Sequence, residues 1–311
     1  MFTFDKEQVV YRIGRVTVGG TPGENPTVLA GSIFYEGDKI VEDAERGIFD
    51  PAAAEALVNK QDEMADLTGN PALVQIVASS AGAMIRYIDF IADITDAPLI
   101  IDSTSVEARL EGIRHCEEVG LLDNAIYNSL NVSVTPDEID ALTEIQPEAA
   151  IILAFNPQDS SVAGRRAILE KGALSLDRGL LRIAEDTGIS KPLIDTATTA
   201  IGAGAGSSLA LTMVAKAVYG LPTGSGIHNA PASWPWLRSQ RKEHREAYRV
   251  CDFSSGLLVV MMGGDFVLYG PIKSAQSVFP VVAMGDMFTA EMASTELGVE
   301  PSENHPFRRL V

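Results

Sequence analysis

Polar residues stand at regular places in this chain, each just after a short apolar run. Asp102-Ser103-Thr104 follows Pro98-Leu99-Ile100-Ile101, and the same placement recurs at Asn128-Ser129, Asn156, Asp195, His228-Asn229 and Asp265. Carboxylates accept hydrogen bonds and amides both accept and donate, so a pocket built from them suits a ligand edge that mixes N–H donors with carbonyl acceptors. Any one of these residues alone could be a helix cap or an Asx turn. Recurrence at Asp102, Asn128 and Asp195 makes one shared pocket the better explanation than three unrelated caps.

Other chemistries are poorly served. His115-Cys116-Glu117 and His244-Arg245-Glu246 have H-x-E spacing but no C-x-x-C partner, and His115, His228, His244 and His305 form no H-E-x-x-H array, so no protein-bound metal is expected. Cys116 and Cys251 lie far apart and in no C-x-x-C pair, which suggests neither a disulfide framework nor a cysteine zinc site. The run Gly202-Ala203-Gly204-Ala205-Gly206 precedes a helix but is spaced G-x-G-x-G and comes late in the chain, so it does not match a dinucleotide fingerprint. A loop whose amides face the functional end of the fold is the better reading. Trp234-Pro235-Trp236 reads either as an apolar shelf beside that loop or as a helix start packed into the core.

These residues need elements to hold them. Apolar, β-prone runs at residues 27–34, 72–78, 98–101, 125–127, 149–155, 192–194, 224–227 and 256–262 alternate with stretches of helical spacing at 51–66, 81–95, 106–119, 136–144, 179–185, 207–219, 235–248 and 272–293. Asp50-Pro51 and Thr135-Pro136 read as an N-cap followed by proline at the first helical position. Eight successive βα units predict an α/β fold, a (β/α)8 TIM barrel in one domain over residues 27–311. Residues 1–26 are expected to form a short N-terminal extension, a hairpin or cap on the barrel floor. An open doubly wound sheet would alternate in the same way. Only a closed barrel, however, brings all the polar strand ends to one mouth, where barrel enzymes keep their chemistry.

The 311 residues are 46% hydrophobic, enough for a large core, and carry 42 acidic against 24 basic side chains for a formal net charge of −18. That charge repels nucleic acid and anionic membranes. No run approaches the roughly 18 apolar residues of a membrane span, and Met1-Phe2-Thr3-Phe4-Asp5-Lys6 lacks the layout of a signal peptide. A cytoplasmic location is expected.

The segments Asp102-Ser103-Thr104-Ser105, Tyr127-Asn128-Ser129-Leu130-Asn131, Leu153-Ala154-Phe155-Asn156, Pro192-Leu193-Ile194-Asp195 and Gly226-Ile227-His228-Asn229 resemble the pterin-site motifs of corrinoid-dependent barrel methyltransferases. The pattern is similar to the MtrH component of tetrahydromethanopterin S-methyltransferase and to the bacterial methylcorrinoid:tetrahydrofolate methyltransferases of glycine-betaine demethylation. The opening residues 1–8, Lys39-Ile40-Val41-Glu42-Asp43 and Lys60-Gln61 also look like that family, so the resemblance runs the whole length. The MtrH component of methanogens carries Tyr-Ala-Arg-His before the Lys-Ile-Val segment where this chain has Tyr35-Glu36-Gly37-Asp38, a departure that leans the reading towards tetrahydrofolate.

The resemblance implies methyl transfer from a methyl-cobalt(III) corrinoid, carried on a separate corrinoid-binding protein, to N5 of tetrahydrofolate. Tetrahydromethanopterin is the alternative acceptor. Asp102, Ser103, Asn128, Asn156, Asp195, His228 and Asn229 become pterin-binding residues, with Asp265 a weaker match. Asn229 and Asp195 become the catalytic pair, and a homodimer is the expected assembly. No Asp-x-His-x-x-Gly motif is present to hold a corrinoid in this chain itself. Two rival readings remain. A dihydropteroate-synthase-like enzyme would want Lys or Arg at the strand ends for a pyrophosphate leaving group, and none of the strand ends named above has one. A non-catalytic subunit that only docks a corrinoid protein would bind no pterin.

Overall fold

The computed structural model describes residues 3–174 and 176–311; Met1 and Phe2 of the opening motif lie outside them. The chain starts with an antiparallel hairpin, β1 (Val10–Ile13) and β2 (Val16–Gly19). After β3 (Val28–Ile33) comes a small antiparallel ribbon, β4 (Val41–Asp43) and β5 (Ile48–Phe49). The remaining strands are β6 (Ala72–Val77), β7 (Leu99–Asp102), β8 (Ala125–Leu130), β9 (Ala149–Leu153), β10 (Lys191–Asp195), β11 (Thr223–Ser225) and β12 (Phe266–Pro271). A closed barrel of parallel strands forms in the order β10-β11-β12-β3-β6-β7-β8-β9, the TIM barrel expected from the sequence.

Helices wrap it: α1 (Pro51–Thr68), α2 (Ala81–Ile94), α3 (Val106–Glu118), α4 (Pro136–Ile145), α5 (Val162–Glu170), α6 (Leu180–Asp186) and α7 (Ala205–Tyr219). The short α8 (Asn229–Ser233) and α9 (Pro235–Gln240) lead into α10 (Arg245–Met261), then α11 (Ala275–Leu297) and α12 (Pro306–Leu310). Asp50 and Thr135 cap α1 and α4 as expected, accepting from the N–H groups of Ala53 and Glu138 ahead of proline at the helix start.

Period-two alternation explains how the barrel interior is layered. Val28, Ala30, Leu73, Ile100, Ile126, Ile151 and Leu193 pack together inside the lower barrel with Ile13, Val16 and Val18 of the hairpin, which plugs the floor. Two residues further along their strands stand Gln75, Asp102, Asn128 and Asp195. They form a polar upper layer resting on an apolar one. The larger apolar shell lies between strands and helices, with Val74, Ile76, Leu99, Ile101, Ile152 and Ile194 among its members.

The eighth strand is not at residues 256–262. That run continues α10, burying Gly256, Val259 and Val260 while leaving Leu258 and Met261 exposed, a helical and not an alternating pattern. An apolar run this short has no period of its own to separate strand from helix. Close packing uses its small residues: a Cβ on Gly256 would lie 3.2 Å from Val282 of α11, and one on Gly285 would lie 2.6 Å from Leu257.

The true strand, β12, places Asp265 before its first residue, at the floor and not at the mouth. There Asp265 accepts from Lys216 Nζ at 2.8 and 2.9 Å and from the Thr223 N–H at 2.8 Å. Lys216 also donates to the Gly20 carbonyl of the hairpin loop, 2.9 Å away. Asp265 therefore has no part in a mouth-side pocket.

Candidate active site

Asp102 and Asn128 are register partners on β7 and β8, and Asp195 is the last residue of β10. All three come to the barrel mouth because each closes an inward-facing i, i+2 pair with Ile100, Ile126 or Leu193 below it. Gln75 of β6 donates to Asp102 Oδ2 at 2.6 Å, leaving Oδ1 without a hydrogen-bond partner among the described residues. The Ala197 N–H donates to Asp195 Oδ1 at 2.7 Å. Asn128 makes no side-chain hydrogen bond among the described residues, and its strand shifts register between Asn128 and Leu130.

Burial pushes the Asp102 carboxyl up to about 6, against the opposing pull of the Gln75 hydrogen bond and the Arg109 charge. Burial likewise pushes Asp195 up to about 6, with the Asp102 charge adding to the rise and Ala197 and Arg165 opposing it. Two carboxylates that sense each other across one mouth, each with spare acceptor capacity, form a site for N–H donors.

Behind each carboxylate lies a buried arginine. Arg109 donates to the Ser103 carbonyl at 2.6 Å and to Glu138 at 3.1 Å, and Tyr127 donates to the same Glu138 oxygen at 2.6 Å. Among the described residues Arg165 donates only to carbonyls: Thr196 and Ala197 at 2.7 Å, Ser160 at 3.1 Å, and Ala154 and Gly204 at 3.4 Å. It clasps the loop after β9, the loop after β10 and the glycine-rich turn into α7. Neither arginine, nor Gln75, stands out in the sequence, because the contacts to Asp102, Glu138, Thr196 and Ala197 reach into other βα units.

Two of the expected pocket residues serve the loops instead. Asn156 Oδ1 accepts from the N–H groups of Gln158 at 2.9 Å and Asp159 at 3.2 Å, while its Nδ2 donates to the Gly164 carbonyl at 3.0 Å. Ser103 Oγ donates to the Ala78 carbonyl at 2.6 Å and accepts from the Ser105 N–H at 3.0 Å. His228 and Asn229 follow β11. Burial lowers His228 to about 4, so its ring is neutral at pH 7. Asn229 is exposed at the start of α8, and its side chain makes no hydrogen bond among the described residues.

The glycine-rich loop and Trp234 do meet. Ile201, Gly202, Gly206, Pro231, Trp234 and Leu258 line an apolar cavity of about 380 Å³. Trp236 stacks at a tilt on Trp234, 4.9 Å between ring centres, and is 56% exposed. A second cavity, about 680 Å³, opens at the ends of β3 and β12 beside His228. Among the described residues no three His, Cys, Asp or Glu side chains are grouped as metal ligands, and no helix is long and apolar enough to cross a membrane.

The raised Asp102 carboxyl sets a stability prediction. A carboxyl whose folded-state pKa lies above its ordinary 3.8 takes up protons on folding between the two values. Stability is therefore full near pH 4, falls as pH rises towards 6 and stays reduced above. Asp102→Asn keeps an acceptor for Gln75 and removes this penalty, so it should stabilise the protein at pH 8 by on the order of 2 kcal/mol. The gain should vanish by pH 4 in urea titrations. An equal gain at both pH values would refute the assignment.

The tetrahydromethanopterin S-methyltransferase MtrH subunit family profile matches residues 6–302. The MtrH component of tetrahydromethanopterin S-methyltransferase from Methanothermobacter thermautotrophicus is 50% identical over 311 residues, covering 100% of both chains. The corresponding component of the putative methyltransferase mtx from Methanosarcina acetivorans is 49% identical, again over 100% of both. Among solved structures, Xanthomonas albilineans dihydropteroate synthase superposes with a TM-score of 0.58 at 16% identity, covering 92% of this chain and 99% of that one. The Yersinia pestis enzyme gives 0.59 at 12% identity, with 89% and 98% covered. At such identities the likeness concerns the barrel alone.

Proposed function

The chain belongs to the MtrH family of tetrahydromethanopterin S-methyltransferase subunits, and on that footing we propose that it moves a methyl group between a corrinoid carried on a separate protein and N5 of a reduced pterin. The carrying observation is the pair Asp102 and Asp195, two desolvated carboxylates with spare acceptor positions at one barrel mouth. A pterin ring offers that pair N–H groups to accept. Asn128 supplies both a donor and an acceptor beside them.

Tetrahydromethanopterin is the better supported pterin. Full-length identity of 50% to relatives named for it outweighs the departure at Tyr35-Glu36-Gly37-Asp38 that pointed to tetrahydrofolate. That departure also has a local cause. The four residues form a tight turn closed by the Asp38 N–H on the Tyr35 carbonyl at 2.9 Å, with Gly37 at φ +81° and the Asp38 carboxylate accepting from the Phe34 N–H.

The corrinoid would supply methyl-cobalt(III): N5 attacks the methyl carbon, the carbon–cobalt electron pair leaves with cobalt(I), and the N5 proton passes to solvent. The chain's own task is positioning. Asp102, Asp195 and Asn128 hold the ring, while exposed Asn229 stands where its amide can hydrogen-bond the N5 region without a strong acid. Neutral His228 packs against Gly270, whose added Cβ would lie 2.8 Å from Nδ1, and so supports the start of α8. The cavity between the glycine-rich loop and Trp234 is the rim surface proposed to receive the corrinoid protein, with binding energy concentrated on the tryptophans. The same reading keeps Asn156 and Ser103 as residues that shape the pterin loops, and a cytoplasmic homodimer as the working form.

The test follows the methyl–cobalt absorption band under anoxic conditions. Free methylcob(III)alamin should lose its methyl group slowly to tetrahydromethanopterin, and faster when it is carried on the cognate corrinoid protein. An unchanged band with both carriers and both pterins, together with no heat on pterin titration, would leave only the docking-subunit reading.

A further inference from the structure

The cavity at the ends of β3 and β12 differs in charge from the rest of this acidic chain. Arg241, Arg245, Arg249 and Lys273 line it, against one carboxylate, Asp252. Arg241, Arg245 and Lys273 have no carboxylate within 4 Å among the described residues, and Arg249 pairs with Glu246 at 3.3 Å on the solvent side. Two of the guanidinium groups are held by stacking: Arg241 sits 4.9 Å from the Tyr248 ring centre and Arg249 sits 5.6 Å from that of Phe253. Stacking occupies the guanidinium face and leaves the N–H edge of Arg241 free for an anion, while Arg249 gives one N–H to Glu246. Lys273 Nζ donates to the Tyr35 hydroxyl at 3.4 Å. Burial pushes Asp252 up to about 6 against the pull of the Arg241 charge.

Placement gives this cluster its meaning. In the closed strand order β12 stands beside β3 and four strands from β8, directly across the mouth from Asn128, with Asp102 on β7 three strands away and Asp195 on β10 two strands away. His228 lines the cationic cavity and precedes Asn229. The mouth thus has carboxylates and an amide on β7, β8 and β10 suited to ring N–H groups and a donor-rich side at β3 and β12 suited to anions. The reduced pterins that carry one-carbon groups have this polarity, an N–H-bearing ring at one end and a tail ending in carboxylate or phosphate at the other. We infer that the cavity lined by Arg241, Arg245, Arg249 and Lys273 is the binding subsite for the anionic tail of the pterin substrate. This rests on the pterin reading of the mouth and adds to it the position and chemistry of the tail.

The test compares tetrahydromethanopterin with 6-methyltetrahydropterin, which has the ring and no tail, by titrating each into the full chain. The parent should bind the tailed pterin more tightly, and only that advantage should shrink with added salt. The Arg241→Ala/Arg245→Ala double variant changes two exposed side chains. It should raise the Kd of the tailed pterin by about 10-fold or more, the scale of lost charge-assisted contacts, and leave the tail-less one within about twofold. A Lys pair at the same positions should recover part of the loss. Equal weakening of both ligands, or no weakening of either, overturns the tail subsite while the pterin reading stands. A parent that binds neither ligand overturns the pterin reading and the subsite with it.

Discussion

Asp102→Ala and Asp195→Ala are each expected to weaken binding of the reduced pterin by roughly 10- to 150-fold, the equivalent of about 1.5–3 kcal/mol for a charged acceptor lost from a buried donor. Both carboxylates are already desolvated in the free protein, so little further dehydration opposes their hydrogen bonds to the ring. Affinity should also rise with pH through about 6, since protonation there replaces an acceptor by a donor. Isothermal titration between pH 5 and pH 8 reads both effects. Dissociation constants within twofold of the parent for both variants, at every pH, would remove these residues from the site. Asp102→Asn serves as a control for folding, because it keeps the Gln75 contact and should still bind weakly.

The second large effect concerns stability. Lys216→Ala should destabilise the protein by about 3–5 kcal/mol, because it strands the Asp265 carboxylate in the barrel floor. Lys216 is fully buried, and its three contacts tie α7 to β12 and to the hairpin loop through the Gly20 carbonyl. Replacing both partners, as Lys216→Met/Asp265→Leu, should recover much of the loss, since no charge is then left unpaired. Pterin affinity per folded molecule should stay unchanged in both variants, because the pair lies at the far end from the mouth. A single-variant loss below about 1 kcal/mol in urea unfolding would show that water reaches the floor.

The strands were legible where an apolar run opens at a proline, as at Pro98 and at Pro192, and so were the inward polar residues that close those runs. The last unit was not. The run 256–262 has the composition of a strand and the surroundings of a helix, and its misplacement sent Asp265 to the wrong end of the barrel. The same slip hid Lys273, which stands two residues past the true strand and brings a cation to the mouth. Arg241, Arg245 and Arg249 lie four residues apart and read from sequence as a solvated helix face. Only the fold sets those exposed side chains, with Lys273, around one cavity. Gln75 and Arg165 were silent because what defines them is a partner in another βα unit, 27 residues away for one and 31 and 32 for the other.

Arg165 gives the rim a further property. Its single guanidinium is shared among carbonyls of the β9 loop, the β10 loop and Gly204, and its charge also steadies Asp195. Lifting the glycine-rich turn removes one of those carbonyls and frees the guanidinium to shift relative to Asp195. By linkage, whatever free energy a ring bound at Asp195 contributes to keeping that turn down is the same free energy by which a visitor that lifts the turn weakens the hold on the ring. On the proposed reading, one buried side chain would make the arrival of a macromolecule at the rim and the grip on a small molecule in the mouth a single thermodynamic exchange.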